Sequence, residues 1–230
     1  LEERAAKIKQ EKSTFGFREE DTVFATTFRS YMHHATFEVN GSTQQFKIPM
    51  IGKHNVSNAL AAISVGRDFG EIDEQIVQAL ANFTRTAIRM QWKKGDVGEA
   101  IMDDVYNSNP TAVRAVTTSF GQVMVEDGGR RIAVLGDMLE LGDESADLHA
   151  SLAASLDPAI INELYLYGPE MKNLYDALVD KYPEENLHYY PQDQMNHMID
   201  DLKNDIKPAD IVMLKGSHGM HLEKVLDRLM

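Results

Sequence analysis

Short runs of consecutive apolar residues punctuate the second half of this chain. Arg131-Ile132-Ala133-Val134-Leu135, Glu163-Leu164-Tyr165-Leu166-Tyr167 and Asp210-Ile211-Val212-Met213-Leu214 have the length of strands and the composition of a core. Leu187-His188-Tyr189-Tyr190 reads as a fourth, shorter strand. Between them, helical spacing fits 110–125, 144–156, 169–181, 192–205 and 219–229. Strands that alternate with helices predict an α/β unit with a mainly parallel sheet and helices on both faces. Arg89-Met90-Gln91-Trp92 and Glu99-Ala100-Ile101-Met102 flank a Lys-Lys-Gly-Asp turn and add two more strands.

The first half follows another pattern. Residues 22–28 are rich in β-branched and aromatic side chains. Residues 35–39 and 45–48 alternate polar with apolar, and Asn40-Gly41 between them signals a hairpin. A small antiparallel sheet is predicted. Residues 54–65 carry small and apolar side chains at helical spacing, and Gly70 is placed to end that helix. A second helix starts at Asp73, with acids in its first turn where they favour the helix dipole. The polar interval 82–87 predicts a domain boundary, dividing the chain into 1–86 and 87–230.

Composition narrows the function. A net charge of −13 disfavours nucleic acid or an anionic membrane as the main partner. The chain has no cysteine, hence no thiolate chemistry. No apolar run approaches the roughly 20 residues of a membrane span. The opening residues do not resemble a signal peptide. A cytoplasmic enzyme or binding module is expected. Neither of two familiar phosphate loops occurs: no G-x-G-x-x-G follows a strand, and Gly52-Lys53 leads into His54 rather than Ser or Thr.

Polar residues gather where strands are predicted to end. Ligands collect at that edge of open α/β sheets. Asp103-Asp104-Val105-Tyr106-Asn107-Ser108-Asn109-Pro110 offers carboxylates, a phenol and amides; the alternative is a solvated turn. The neighbouring Asp103 and Asp104 point to opposite faces, so one can meet ribose hydroxyls while the other fixes the loop. Gly136 to Gly142 and Lys215-Gly216-Ser217-His218 follow two further strands. Lys215 suits a carboxylate or phosphate, against the alternative of a solvated loop lysine, and Gly216 suits close approach of a ligand. His149 is read as a partly buried packing residue. Asn55 and Asn58 share a helix face near its start and suit an adenine edge, with Asn55 as a plain helix cap the alternative. Arg89 suits a phosphate, or else a surface ion pair. Met195 and Met198 read as core.

These motifs carry a resemblance. Gly52-Lys53-His54-Asn55-Val56-Ser57-Asn58-Ala59-Leu60-Ala61-Ala62 resembles the central-domain helix of the Mur ligases. The 103–110 motif, Val134-Leu135-Gly136-Asp137-Met138-Leu139-Glu140-Leu141-Gly142 and Lys215-Gly216-Ser217-His218-Gly219-Met220 resemble the branch that adds D-alanyl-D-alanine, the MurF type. The resemblance runs from about Thr14 to the end. Val105 and Ser108 stand where many members have Ser and Ala, and His218 where Arg is frequent.

The resemblance implies a partial central ATPase domain, lacking its phosphate loop, followed by a Rossmann-like C-terminal domain. It implies ATP and Mg2+, with the metal held mainly by residues outside this chain. The substrates would be UDP-N-acetylmuramoyl-tripeptide and D-alanyl-D-alanine, joined through an acyl phosphate in cytoplasmic cell-wall precursor synthesis. Asn55 and Asn58 would line the adenine and phosphate region. Arg89 would act catalytically at the γ-phosphate, and Asp104 would bind the ribose. Tyr106, Asn107 and Asn109 would shape the nucleotide side, and Lys215 and Ser217 would lie near the dipeptide. The protein would be a monomer with a hinge near 84–89, and this chain alone would be inactive. The alternatives are a related Mur-type amino-acid ligase and a non-catalytic nucleotide- or partner-binding module.

Overall fold

The structure is a computed structural model that describes residue 7, residues 9–83 and residues 91–230. The chain divides into two compact units, Leu1–Thr84 and Arg85–Met230.

The first unit is a four-stranded sheet backed by two helices. Its strands are β1 (Phe15–Gly16), β2 (Val23–Ser30), β3 (Ala35–Val39) and β4 (Gln45–Ile48), in that spatial order. In β3 and β4 every second residue is buried, which places Phe37 and Phe46 in the core with ring centroids 5.6 Å apart. These strands form the expected antiparallel hairpin. The sheet as a whole is mixed rather than antiparallel, because β1 pairs parallel to β2. Two residues are too few to show a period in sequence. The 17–22 bend brings them back, held by Asp21 Oδ2 accepting from the Arg18 N–H at 3.2 Å and by mutual Thr14–Thr22 hydrogen bonds.

Helix α1 (Lys53–Asp68) lays Val56, Ala59, Leu60 and Ile63 on this sheet. It ends as expected at Gly70, whose φ of 85° is the left-handed conformation open to glycine. Gly70 N–H bonds Arg67 O, and Glu71 N–H bonds Gly66 O, the pair of hydrogen bonds that closes a helix end at glycine. Helix α2 (Asp73–Ala81) follows.

The second unit is built on six strands: β5 (Gln91–Lys94), β6 (Ala100–Asp104), β7 (Arg131–Gly136), β8 (Glu163–Tyr167), β9 (Leu187–Tyr190) and β10 (Ile211–Lys215). Their order is β5-β6-β10-β7-β8-β9. Only the β5–β6 pair is antiparallel. The last strand in sequence is thus inserted between β6 and β7, near the middle of the sheet.

The helices are α3 (Pro110–Gly121), α4 (Ser145–Ala150), α5 (Met171–Leu178), α6 (Met195–Asp205) and α7 (Glu223–Leu229). Side chains alternate along the strands. Ile101, Ile132, Val134, Tyr165, Val212 and Leu214 pack with Met198, Ile199 and Leu202 of α6 and with Val225, Leu226 and Leu229 of α7. Met198 is core as expected, with Met195 partly buried beside it. The intervening Met102, Ala133, Leu135, Leu164, Leu166 and Met213 are fully buried too. Several helices are shorter than their periodicity predicts. Residues 151–155, 192–194 and 218–220 wind more tightly, as 3-10 turns. His221, at φ 56°, then interrupts the run into α7.

A candidate nucleotide-binding edge on the second unit

Strands β6, β7 and β10 end together, and the loops beyond them are tied to one another. Asp104 and Lys215 are register partners on adjacent parallel strands. Lys215 Nζ lies 3.0 Å from Asp104 Oδ2, and the lysine side chain is only 2% exposed. It also donates to the carbonyls of Asp104, at 3.4 Å, and of Asn107. Lys215 is therefore not a solvated loop lysine. Its charge faces a carboxylate held at the mouth of the loop.

Asp103 points to the other face, as predicted, where Lys93 Nζ lies 3.0 Å from its Oδ2. Its Oδ1 and the hydroxyl of Ser108 are buried without a hydrogen-bond partner among the described residues. Tyr106 stands half exposed, its ring centroid 6.2 Å from that of His218. The Asn107 side chain is exposed. Asn109 caps α3: its Oδ1 accepts from the Ala112 N–H at 2.8 Å, and Pro110 occupies the first helical position, where a missing N–H costs nothing.

Ser217 links β10 to the loop after β7. Its Oγ accepts from the Leu139 N–H at 2.9 Å, and its N–H donates to Asp137 O at 3.1 Å. The glycines here serve packing. A Cβ on Gly216 would lie 2.8 Å from Leu222 Cδ1 and 3.2 Å from Gly136 Cα. The space expected for a ligand beside Gly216 is filled by the protein's own backbone and a leucine.

In the first unit, α1 is capped by Gly52, at φ 93°, and not by Asn55. Asn55 lies one turn in, buried, and its Nδ2 donates to Ile51 O at 2.8 Å and lies 3.1 Å from His54 Nε2. Asn58 is exposed on the same helix. Arg89, and with it the predicted hinge at 84–89, falls outside the described residues.

Residues 88–218 match the family described as Mur ligase, glutamate ligase domain, and residues 1–66 match the Mur ligase middle domain. The first match alone spans more than half of the sequence. The chain belongs to the Mur ligase family. The UDP-N-acetylmuramoyl-tripeptide–D-alanyl-D-alanine ligase of Bacillus subtilis (strain 168) is 31% identical over 193 residues, covering 84% of this chain and 41% of that protein. A crystal structure of MurF from Acinetobacter baumannii aligns with a TM-score of 0.80 at 26% identity, covering 94% of this chain and 46% of that one. The MurF ligase from Thermotoga maritima, in complex with ADP, aligns with a TM-score of 0.73 and a coverage of 94% and 47%. At 23% identity that likeness is one of fold. The chain spans less than half the length of these relatives.

Two residues of this Mur ligase edge matter more than their sequence signal indicated. Asp137 is buried, and its carboxylate accepts from the N–H groups of Glu170 at 3.2 Å and Met171 at 2.8 Å, at the start of α5. Burial pushes its pKa up, and these two hydrogen bonds oppose the rise without cancelling it. His149 is a fully buried pin. Its Nε2 accepts from the Met138 N–H at 2.9 Å, so Nδ1 carries the proton and donates to Ser145 O at 2.7 Å. The 137–142 loop is thus held from both α4 and β10. Among the described residues, no group of three or more His, Asp or Glu side chains is arranged to hold a metal ion.

Proposed function

We propose that this chain is the nucleotide- and dipeptide-facing part of an ATP-dependent ligase that joins D-alanyl-D-alanine to UDP-N-acetylmuramoyl-tripeptide. The observation that carries the reading is Asp104: a carboxylate fixed at the carboxyl edge of a parallel sheet, with exposed Tyr106 and Asn107 beside it. Such an edge is where nucleotides lie on α/β sheets. The name of the Bacillus relative supports the dipeptide, and the ADP in the Thermotoga relative supports the nucleotide.

In this reading the tripeptide's terminal carboxylate takes the γ-phosphoryl group of ATP. The dipeptide's amine then attacks the acyl carbon, loses a proton, and inorganic phosphate departs. The protein supplies position and charge rather than a covalent intermediate. Asp104 accepts from ribose hydroxyls, Tyr106 offers a ring face, and the Asn107 amide reads polar atoms. Asn55, Asn58 and Arg89 are assigned to the adenine and phosphates by the same resemblance. Domains at 1–86 and 87–230 belong to the proposal too.

The test is ADP release by the complete protein. Release that requires both UDP-N-acetylmuramoyl-tripeptide and D-alanyl-D-alanine supports the reading. Release with a single amino acid in place of the dipeptide would instead make it a related amino-acid ligase. Nucleotide binding without turnover would make it a binding module. Residues 1–230 alone are expected to release no ADP.

A further inference from the structure

The structure assigns Lys215 a task that a substrate contact does not describe. An ammonium has three N–H donors and no acceptor. Here three oxygens surround it: Asp104 Oδ2 at 3.0 Å, Asp104 O at 3.4 Å and Asn107 O. With a side chain 2% exposed, it has neither a spare donor nor a surface to offer an incoming dipeptide. We propose that Lys215 is a positioning residue that acts through Asp104 and the Asn107 carbonyl. It sets the path of the 104–109 loop, and so the presentation of the Asp104 carboxylate and the Tyr106 and Asn107 side chains.

Three observations favour this. Lys215 and Asp104 are in register on neighbouring strands, so sheet pairing itself brings them together. The Asn107 carbonyl lies past Tyr106, so one ammonium grips the loop at two points three residues apart. Ser217, two residues on, grips the 137–142 loop in the same way. Strand β10 therefore fixes the loops of both its neighbours. The ion pair holds the Asp104 carboxylate in one orientation.

The proposal rests on the nucleotide reading of Asp104, and its test separates the two. In the complete protein, Lys215→Met, Lys215→Arg, Asp104→Asn and the double variant Lys215→Met/Asp104→Asn are compared. The readouts are the KM for ATP, the KM for D-alanyl-D-alanine, and amide hydrogen exchange over 105–109 without ligands. Lys215→Met is expected to raise the KM for ATP on the order of 10–100-fold, as displaced binding groups do. The dipeptide KM should stay within about twofold, and the loop amides should exchange faster. Lys215→Arg, which keeps the charge, should recover part of the protection. The double variant should cost less than the sum of Lys215→Met and Asp104→Asn, the non-additivity of a direct pair. A raised dipeptide KM with an unchanged ATP KM would overturn the proposal and make Lys215 a substrate ligand. So would unchanged exchange in the loop. If Lys215→Met does not fold, Lys215→Arg and the double variant, which leaves no uncompensated charge, carry the same readouts. A wild-type protein that releases no ADP would sink the ligase reading, while the exchange experiment would still judge Lys215.

Discussion

Single side chains on this protein divide into those that hold the edge and those that face outward from it. Asn109 belongs to the first group: its amide oxygen is spent on the start of α3. Asn109→Ala should cost about 1 kcal/mol, the usual worth of such a cap, measured by urea unfolding. An unchanged midpoint would mean that the cap is replaced by water. Gly168 is held more tightly. Its φ is 116°, and an added Cβ would lie 2.5 Å from Asp137 Cγ. Gly168→Ala should therefore destabilise by about 1–3 kcal/mol through backbone strain, besides displacing the carboxylate that caps α5. The glycine is plain in the sequence, but what its missing side chain makes room for is not. Asp137 is contributed from 31 positions earlier, and no local pattern links the two.

Elements were more legible than residues. Alternation marked β3 and β4, and consecutive apolar residues marked β7, β8 and β10, because burial on one face or two leaves a local trace. Ends were legible where chemistry stops a helix, as at Gly70, and illegible where α4 gives way to a tighter turn and where α6 and α7 follow one. The start of α2 offers a test by pH. Arg67 meets Asp73 with Nε–Oδ1 and Nη2–Oδ2 both at 2.9 Å. The hydrogen bond from Arg67 holds the Asp73 carboxyl below its ordinary range, against a smaller opposing effect of burial. A depressed carboxyl stabilises the fold above its unfolded pKa of about 3.9, and that contribution is lost as pH falls through the folded value. Asp73→Asn should cost about 1 kcal/mol near neutrality, low for a charge-assisted pair because both side chains still touch water. It should also flatten the loss of stability below about pH 4. A wild-type unfolding midpoint that does not move between about pH 6 and pH 3 would contradict this assignment.

For the whole molecule the decisive fact is where β10 goes. It pairs with β6 on one side and β7 on the other, although more than 70 residues separate it from either. Deleting residues 207–230 should leave both neighbours with unpaired edges and abolish cooperative unfolding of the second unit, as seen by circular dichroism. A truncated chain that still melts cooperatively would show that the sheet closes without β10. The sequence by itself determined the α/β class, most strand positions, and the motifs at strand ends that place the chain among the Mur ligases. Side-chain period and turn chemistry are local properties, so they can be read locally. Only the tertiary structure decided that the first sheet is mixed, that Gly216 faces backbone, and that Lys215 is buried against Asp104. Strand order is set by which long-range pairing buries the most surface and satisfies the most backbone groups, a comparison that no single segment encodes.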